Sequence, residues 1–509
     1  MRRKWFALLL AVFTVTGVLS SQGTASMKGY DKGLQLQRFK TVQPTLHYPR
    51  GIEVSPRYRV MVKPAGDKTP WNKAANGTAA YKAWPDYVDP ETIPAAYKDN
   101  SVHLSQIDTK TRVSIRVELI DGGTIETLKV NPSRYSEVQA TLTSGKDWLE
   151  FEVNPSDLTK HILVEINAPE TGPYSEGLML FVNPLSQIPS GNVLILPPGV
   201  IGSRHPAMNE LNAIVIDENS PYDALYIPHN TIVDGRIEVR KEGFTIAGRG
   251  MVVGSRWAWP KSKPDWAQNY PSDISPDGSV IKGIIDMNGG QAEGITTIHP
   301  YHFNYEGADS YSNLKAFGWR FSSDGFHGDI VRGSFARVND DANYFNHGLI
   351  ERNSYWGMQN GALFQLGWGQ AAADGGGGTR ISEINVLRGE WMSDGGDRQN
   401  NGLFSGVLRN TTGDLEDIVF DDIRVDGSLF RLIAFDMDTH SGTLRNFTFR
   451  NIWIEKPFTY PSGVINMIKV GGGIEDFVFE NLTVGGQHLT SLEQLNPMDT
   501  PFGDEIEFR

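Results

Sequence analysis

Three aspartates carry the sharpest chemical signal in the chain. Asp324 lies in Trp319-Arg-Phe-Ser-Ser-Asp-Gly325, and Asp340-Asp341 lie in Arg337-Val-Asn-Asp-Asp-Ala342, at an offset of 16 (340 − 324). If the two segments occupy successive turns of one architecture, strand spacing sets them roughly 5 Å apart. Three carboxyls so placed repel one another, and at least one should hold its proton to a higher pH. A protonated acid beside ionised partners is what hydrolysis of a glycosidic bond requires. Each segment also has a plain structural reading: Asp-Gly is a turn signal, and Asn-Asp-Asp serves equally as a polar bend. Asp421-Asp422 illustrates that reading, because Asp422 shares a column with Asn451 and Asn481 and is assigned no catalytic role.

Flat apolar rings are natural platforms for sugar faces. Trp257 and Trp259 precede Pro260, and Tyr301, Trp356 and Trp368 are close to the acidic segment in sequence, so these are candidates for substrate contact, with core packing as the alternative. His299, His302 and His327 lack metal-ligand spacing and read as hydrogen-bonding or surface residues, and no metal or cofactor is expected. Gly248-Arg-Gly250-Met-Val-Val-Gly254 is not the dinucleotide fingerprint and precedes no helical pattern, and Asp374-Gly-Gly-Gly-Gly-Thr379 lacks the Lys of a phosphate loop.

The elements that must position these residues show themselves as a repeat. Leu415-Glu-Asp-Ile-Val-Phe-Asp-Asp-Ile-Arg-Val425 recurs at Leu444–Ile454 and Ile474–Val484, at offsets of 29 and 30 (444 − 415, 474 − 444). Phe420, Phe449 and Phe479 align, as do Ile423, Ile452 and Leu482. Each unit holds two short strands around a polar bend and no helix, which describes coils of a parallel β-helix whose like side chains stack. A second sandwich or barrel would not need like residues at a fixed period. Weaker units occur at Ile381–Val386, Asn313–Phe321 and Ile237–Ile246, so the solenoid is expected over roughly 190–485, opening near Val193-Leu-Ile-Leu196, with the tail 486–509 as a cap. From Gly51 to Leu185 short alternating runs such as Thr111–Ile120 and Trp148–Val153 predict a β-sandwich. The expected fold class is therefore all-β, an N-terminal sandwich followed by a parallel β-helix. The expected division is 1–26 leader, 27–189 sandwich with its lead-in, and 190–509 β-helix with its cap.

Composition narrows the function classes. The 509 residues include no Cys, which excludes disulfides, thiolate metal sites and a cysteine nucleophile. Lys+Arg of 47 against Asp+Glu of 60 gives −13, the wrong sign for duplex nucleic acid or an anionic membrane surface. Met1-Arg-Arg-Lys4, the apolar run Trp5–Leu19 and small residues near Ala25-Ser26 read as a secretory leader. Its removal takes three cations, leaving −16 (−13 − 3) on an exported, soluble chain expected to act as a monomer.

At the aspartate motifs the chain resembles the dextranase–isopullulanase family of glycoside hydrolases, family 49, distant relatives of the polygalacturonases. The resemblance covers most of the chain and rests on Phe321-x-x-Asp324-Gly325 and Val338-Asn-Asp-Asp-Ala342. Pro197-Pro-Gly199, Ala247-Gly-Arg-Gly250, Trp356 with Gln365-x-Gly-Trp368, and Thr483-Val-Gly-Gly-Gln487 support it. It implies a sandwich followed by a right-handed parallel β-helix and an inverting endo-glycanase. Asp340 would then be the general acid, with Asp324 and Asp341 holding and activating water on the opposite face of the sugar. The chain departs from the family in a short Asp324–Asp340 segment. It departs again at Tyr344, which stands about where a substrate-contacting Lys is expected and so joins the substrate-contact candidates. The leading expectation is hydrolysis of an α-glucan such as dextran or pullulan. A polygalacturonase-like or lyase enzyme on an acidic glycan would need a cationic cleft, and Lys and Arg are sparse around 319–345. A non-catalytic β-helix adhesin or polysaccharide-binding module is the reading from another class.

Overall fold

The computed structural model describes residues 47–73, 77–85, 100–170, 172–257, 283–320, 323–344, 348–357, 361–368, 378–390, 402–408, 413–429, 431–437, 441–457, 459–460, 463–464, 468–470, 473–497 and 503–509. The leader, most of the lead-in and most of the Gly-rich run at 374–379 lie outside the described residues.

Two antiparallel-rich sheets form the N-terminal sandwich. Val113–Leu119 shows why the sequence pairs this way: Val113, Ile115, Val117 and Leu119 are buried and the residues between them face outward. It lies between Tyr58–Pro64 and Trp148–Val153 in a five-stranded sheet. The opposing six-stranded sheet contains Val102–Asp108 and Gly177–Asn183, both buried along their whole length. The reason is that this sheet is covered on both faces. Leu178, Leu180 and Val182 fill the sandwich core, while Met179 and Phe181 point the other way, into a second core shared with Phe317, Phe335 and Trp356 of the solenoid. Arg337 crosses that junction between Trp319 and Trp356, its guanidinium within 3.4 Å of Glu390 and 2.8 Å from Asn100. Arg388 crosses it as well, bonding Glu165 at 2.5 Å.

The solenoid is built of parallel rungs. A 20-stranded sheet runs from Val193–Ile195 to Ile506–Phe508, and a 10-stranded sheet runs from Ala213–Ile216 to Ile468–Val470. Its centre is a continuous apolar core. The repeat columns stack as their spacing demands: Phe420–Phe449, Phe449–Phe479 and Phe479–Phe508 have ring centroids 4.8, 4.8 and 5.0 Å apart and near-parallel planes. Phe508 extends the ladder, because Ile506–Phe508 pairs parallel with the last repeat and closes its open edge. All-β architecture, sandwich then parallel β-helix, is therefore the fold that the sequence pattern implied. Of the three weak upstream units, Ile381–Val386 is a rung in register with the repeats. Ile237–Ile246 is not such a unit: its first strand belongs to the 10-stranded sheet and its second to the 20-stranded one, so it turns a corner of the coil.

One corner is a column of left-handed residues. Gly294 (φ 80°), Asn313 (55°), Gly333 (56°), Arg352 (56°), Glu383 (55°), Asp422 (57°), Asn451 (54°) and Asn481 (56°) follow one another rung by rung. Asn and Gly tolerate this conformation, whereas for other residues it is costly. Side chains also bridge the rungs, with Asn481 donating to Asn451 Oδ1 at 3.0 Å and Asn451 to Asp421 Oδ1 at 3.0 Å. Asp422 is thus a bend position.

Candidate active site

The site forms on four consecutive strands of the 10-stranded sheet: Phe303–Glu306, Asp324–His327, Asn343–Tyr344 and Ala362–Trp368. Coil length explains the close spacing of the aspartate motifs. Phe326 pairs with Asn343, a step of 17 along the chain (343 − 326), whereas the rungs on either side are separated by steps of 21 (324 − 303 and 365 − 344). Backbone bonds clamp the two acidic segments together around Asp324. Asp340 N–H donates to the Ser323 carbonyl at 3.3 Å, and Gly325 N–H donates to the Asp341 carbonyl at 2.9 Å. Ser323 Oγ also accepts from Asn339 N–H at 3.1 Å. Glycine is required here, because a Cβ at Gly325 would stand 2.2 Å from the Ala342 carbonyl oxygen, and one at Gly361 would stand 2.4 Å from the Asp341 nitrogen.

The three carboxyls differ in environment. Asp341 is buried, with three donors converging on it: Ala362 N–H at 2.7 Å, Tyr344 Oη at 2.7 Å and Gln365 Nε2 at 3.2 Å. Asp340 is half-buried, and its Oδ1 accepts from Asp341 N–H at 3.0 Å. Asp324 is buried, and its Oδ1 has no hydrogen-bond partner among the described residues. Burial, reinforced by the charges of Asp340, Asp341 and Glu306, pushes the Asp324 carboxyl well above the usual carboxylate range. Burial and the same three aspartates also hold the Tyr344 phenol up, so it acts as a donor to Asp341.

A polar column adjoins the acids on the outer face. Glu306, His327, Tyr344 and Gln365 are register partners on the four rungs. His327 Nδ1 is 3.4 Å from Glu306 Oε1, and its ring stacks on Phe303 at 5.1 Å. Tyr344 meets Phe303 edge-on at 5.6 Å. His302 Nε2 is 3.8 Å from Asp324 Oδ2.

Asp324, Asp340, Asp341 and Tyr344 are therefore brought together. Three aromatic candidates are not available as sugar platforms. Trp356 is 1% exposed and packs between Tyr174 of the sandwich and Arg337, because the sandwich covers that rung. Tyr301 is fully buried, its hydroxyl bonded to the Gly283 carbonyl at 2.7 Å. Trp257 is buried beside Tyr301 and the Arg236 guanidinium. Trp259 lies outside the described residues. Trp368 is placed only as the end of its strand, with its side chain outside them. His299, read from the sequence as a hydrogen-bonding or surface residue, is buried against Trp319. Sequence reasoning missed Phe303, Glu306 and Gln365 and gave His302 and His327 no site role. Only the unequal coil lengths bring them into line.

No family model and no curated protein matches the chain. Among solved structures, Dex49A from Penicillium minioluteum is similar, with a TM-score of 0.63 and 15% sequence identity over 91% of this chain and 96% of that one. At that identity the likeness is one of fold. It places this chain among proteins that carry a sandwich on a parallel β-helix.

Proposed function

We propose that the chain is an exported, monomeric glycoside hydrolase that cleaves an α-linked glucan, dextran or a relative such as pullulan, by direct attack of water with inversion. The observation that carries this reading is the clamped trio, in which burial and the neighbouring charges hold the Asp324 carboxyl well above the usual carboxylate range. Such a cluster contains both the acid and the ionised partners that glycosidic cleavage needs, and it titrates as a unit. Asp340, the most exposed of the three, protonates the leaving oxygen. Asp324 and Asp341 hold the water, with Asp341 fixed by Tyr344, Gln365 and the Ala362 amide. These roles, and the choice of an α-glucan, follow the family-49 resemblance, which the fold of Dex49A supports. The column beside the trio is Glu306, His327, Tyr344 and Gln365, which suits a neutral sugar chain better than a polyuronate.

Asp340→Asn should lower hydrolysis of polymeric α-glucan by about a hundred- to ten-thousandfold with unchanged circular dichroism, since losing the acid removes a main element of catalysis. On an aryl glycoside whose phenol leaves without protonation, much of the rate should return. If Asp324→Asn is rescued on that substrate instead, the acid and base roles exchange. Full hydrolytic activity of Asp340→Asn would sink the assignment of the acid, and wild type that binds glycans but cleaves none would favour a binding module. Proton NMR of fresh product reports the anomeric outcome.

A further inference from the structure

The placement of His302 raises a question that the trio alone leaves open. To direct water, Asp324 must be ionised, yet it is buried beside Asp340, Asp341 and Glu306. His302 ends the turn just before Phe303–Glu306, and Asp324 N–H donates to its carbonyl at 3.1 Å. Its ring leans on Phe303, with centroids 4.4 Å apart, and turns Nε2 toward Asp324 Oδ2 at 3.8 Å. Phe303 is itself held between His327 and Tyr344, so the imidazole has a rigid backing. The side chain of His302 keeps some solvent access, whereas that of Asp324 has almost none.

Building on the hydrolase reading, we propose that His302 is a positioning residue for Asp324, an imidazole that takes the proton from the buried carboxyl and pairs with the carboxylate so formed. The step is a transfer of one proton from Asp324 Oδ2 to His302 Nε2 as the 3.8 Å separation closes to hydrogen-bond length, the O–H bond breaking as the N–H bond forms. The resulting imidazolium supplies a positive charge beside the acid that most needs one. It brings part of the ionised Asp324 population into the working pH range, and contact with bulk water lets His302 exchange the proton. The charged and titratable groups facing the pair are Asp340, Asp341, Glu306 with its partner His327, and Tyr344.

The test has one arm without substrate and one with it. In the full chain labelled at its 11 histidines, the His302 resonance is assigned by its loss in His302→Gln and titrated in wild type and Asp324→Asn. His302 should stay protonated to a pH about one unit higher in wild type than in Asp324→Asn, the size of effect an adjacent carboxylate exerts. Identical titrations would overturn the proposal. In the second arm the pH profile of kcat is compared for wild type and His302→Gln. Losing the imidazolium raises the carboxyl further, so the acid limb should move to higher pH by about half to one unit with KM changed less than about twofold. A uniform fall at every pH would mark a merely structural role and overturn it too. A coupled titration in a protein that cleaves no glycan would leave the His–Asp pair standing and remove the hydrolase reading. Hydrolysis with uncoupled titrations would do the reverse.

Discussion

The rungs at 415–484 and the rungs at 303–368 belong to the same solenoid yet are built on different rules. The first set repeats at offsets of 29 and 30 (444 − 415, 474 − 444) and stacks Phe on Phe, Ile on Ile and Asn on Asn. The second set advances by 21, then 17, then 21 (324 − 303, 343 − 326, 365 − 344), and its outer column changes chemistry at every step, from Glu306 to His327 to Tyr344 to Gln365. Stacking like on like is the cheapest way to stabilise a parallel sheet, because each side chain finds an identical partner at the spacing of the strands. A site needs unlike groups at that spacing, so the stacking ladders give way where the acids converge. The regular rungs hold the shape, and the irregular ones carry groups that burial and repulsion disfavour.

The largest stability effect should therefore fall in the regular set. Phe449 stacks on Phe420 and Phe479 at 4.8 Å each and is fully buried. Phe449→Ala should cost about 3–5 kcal/mol in denaturant unfolding, the usual loss for a large core ring, with KM for glycan unchanged in the folded fraction. A loss below about 1 kcal/mol would show that the ladder is not what holds this end together.

The same contrast explains what the sequence disclosed and what it hid. Phe420, Phe449 and Phe479 could be aligned by eye because stacking forces like residues to recur. Asp324 and Asp340-Asp341 stood out as carboxyls close in sequence, although a turn and a polar bend would explain them equally well on spacing alone. Glu306, His327, Tyr344 and Gln365 could not be aligned, since their column exists only once one shortened coil is set between two longer ones. Trp356 and Tyr301 looked like platforms because nearness in sequence says nothing about burial: the sandwich covers Trp356, and Tyr301 packs beside Trp257 with its hydroxyl on the Gly283 carbonyl. The left-handed corner was readable at Asp422, Asn451 and Asn481 and hidden at Arg352 and Glu383, where the backbone keeps the conformation and the residue type does not announce it.

In the irregular set, the expected stability effect has the opposite sign. Asp324 is held well above the ordinary carboxylate range by burial and by Asp340, Asp341 and Glu306. Below about pH 4 the carboxyl is protonated in both folded and unfolded chains and makes no difference. As the pH rises past that point the unfolded chain releases the proton while the folded chain retains it, so stability falls until the raised folded value is reached. Asp324→Asn should then melt above wild type at pH 7, and the gap should close as the pH approaches 4. A variant that melts below wild type at pH 7 would mean that Asp324 supports the fold, and the contrast between structural and chemical rungs would fail there.

The smallest effect sharpens the comparison within a single column. Asn451 and Glu383 occupy the same left-handed corner at φ 54° and 55°. Asn451 suits that conformation and also links rungs by donating to Asp421 Oδ1 and accepting from Asn481. Glu383 is exposed and has neither advantage. Asn451→Ala should destabilise the protein by about 1 kcal/mol, whereas Glu383→Asn should stabilise it by about the same amount, because a Cβ in the left-handed region costs roughly 1–2 kcal/mol that Asn partly recovers through local hydrogen bonds. Chemical denaturation of both variants beside wild type reads the two signs. Equal signs would show that the corner is governed by local surroundings rather than by the backbone conformation that all eight of its residues share.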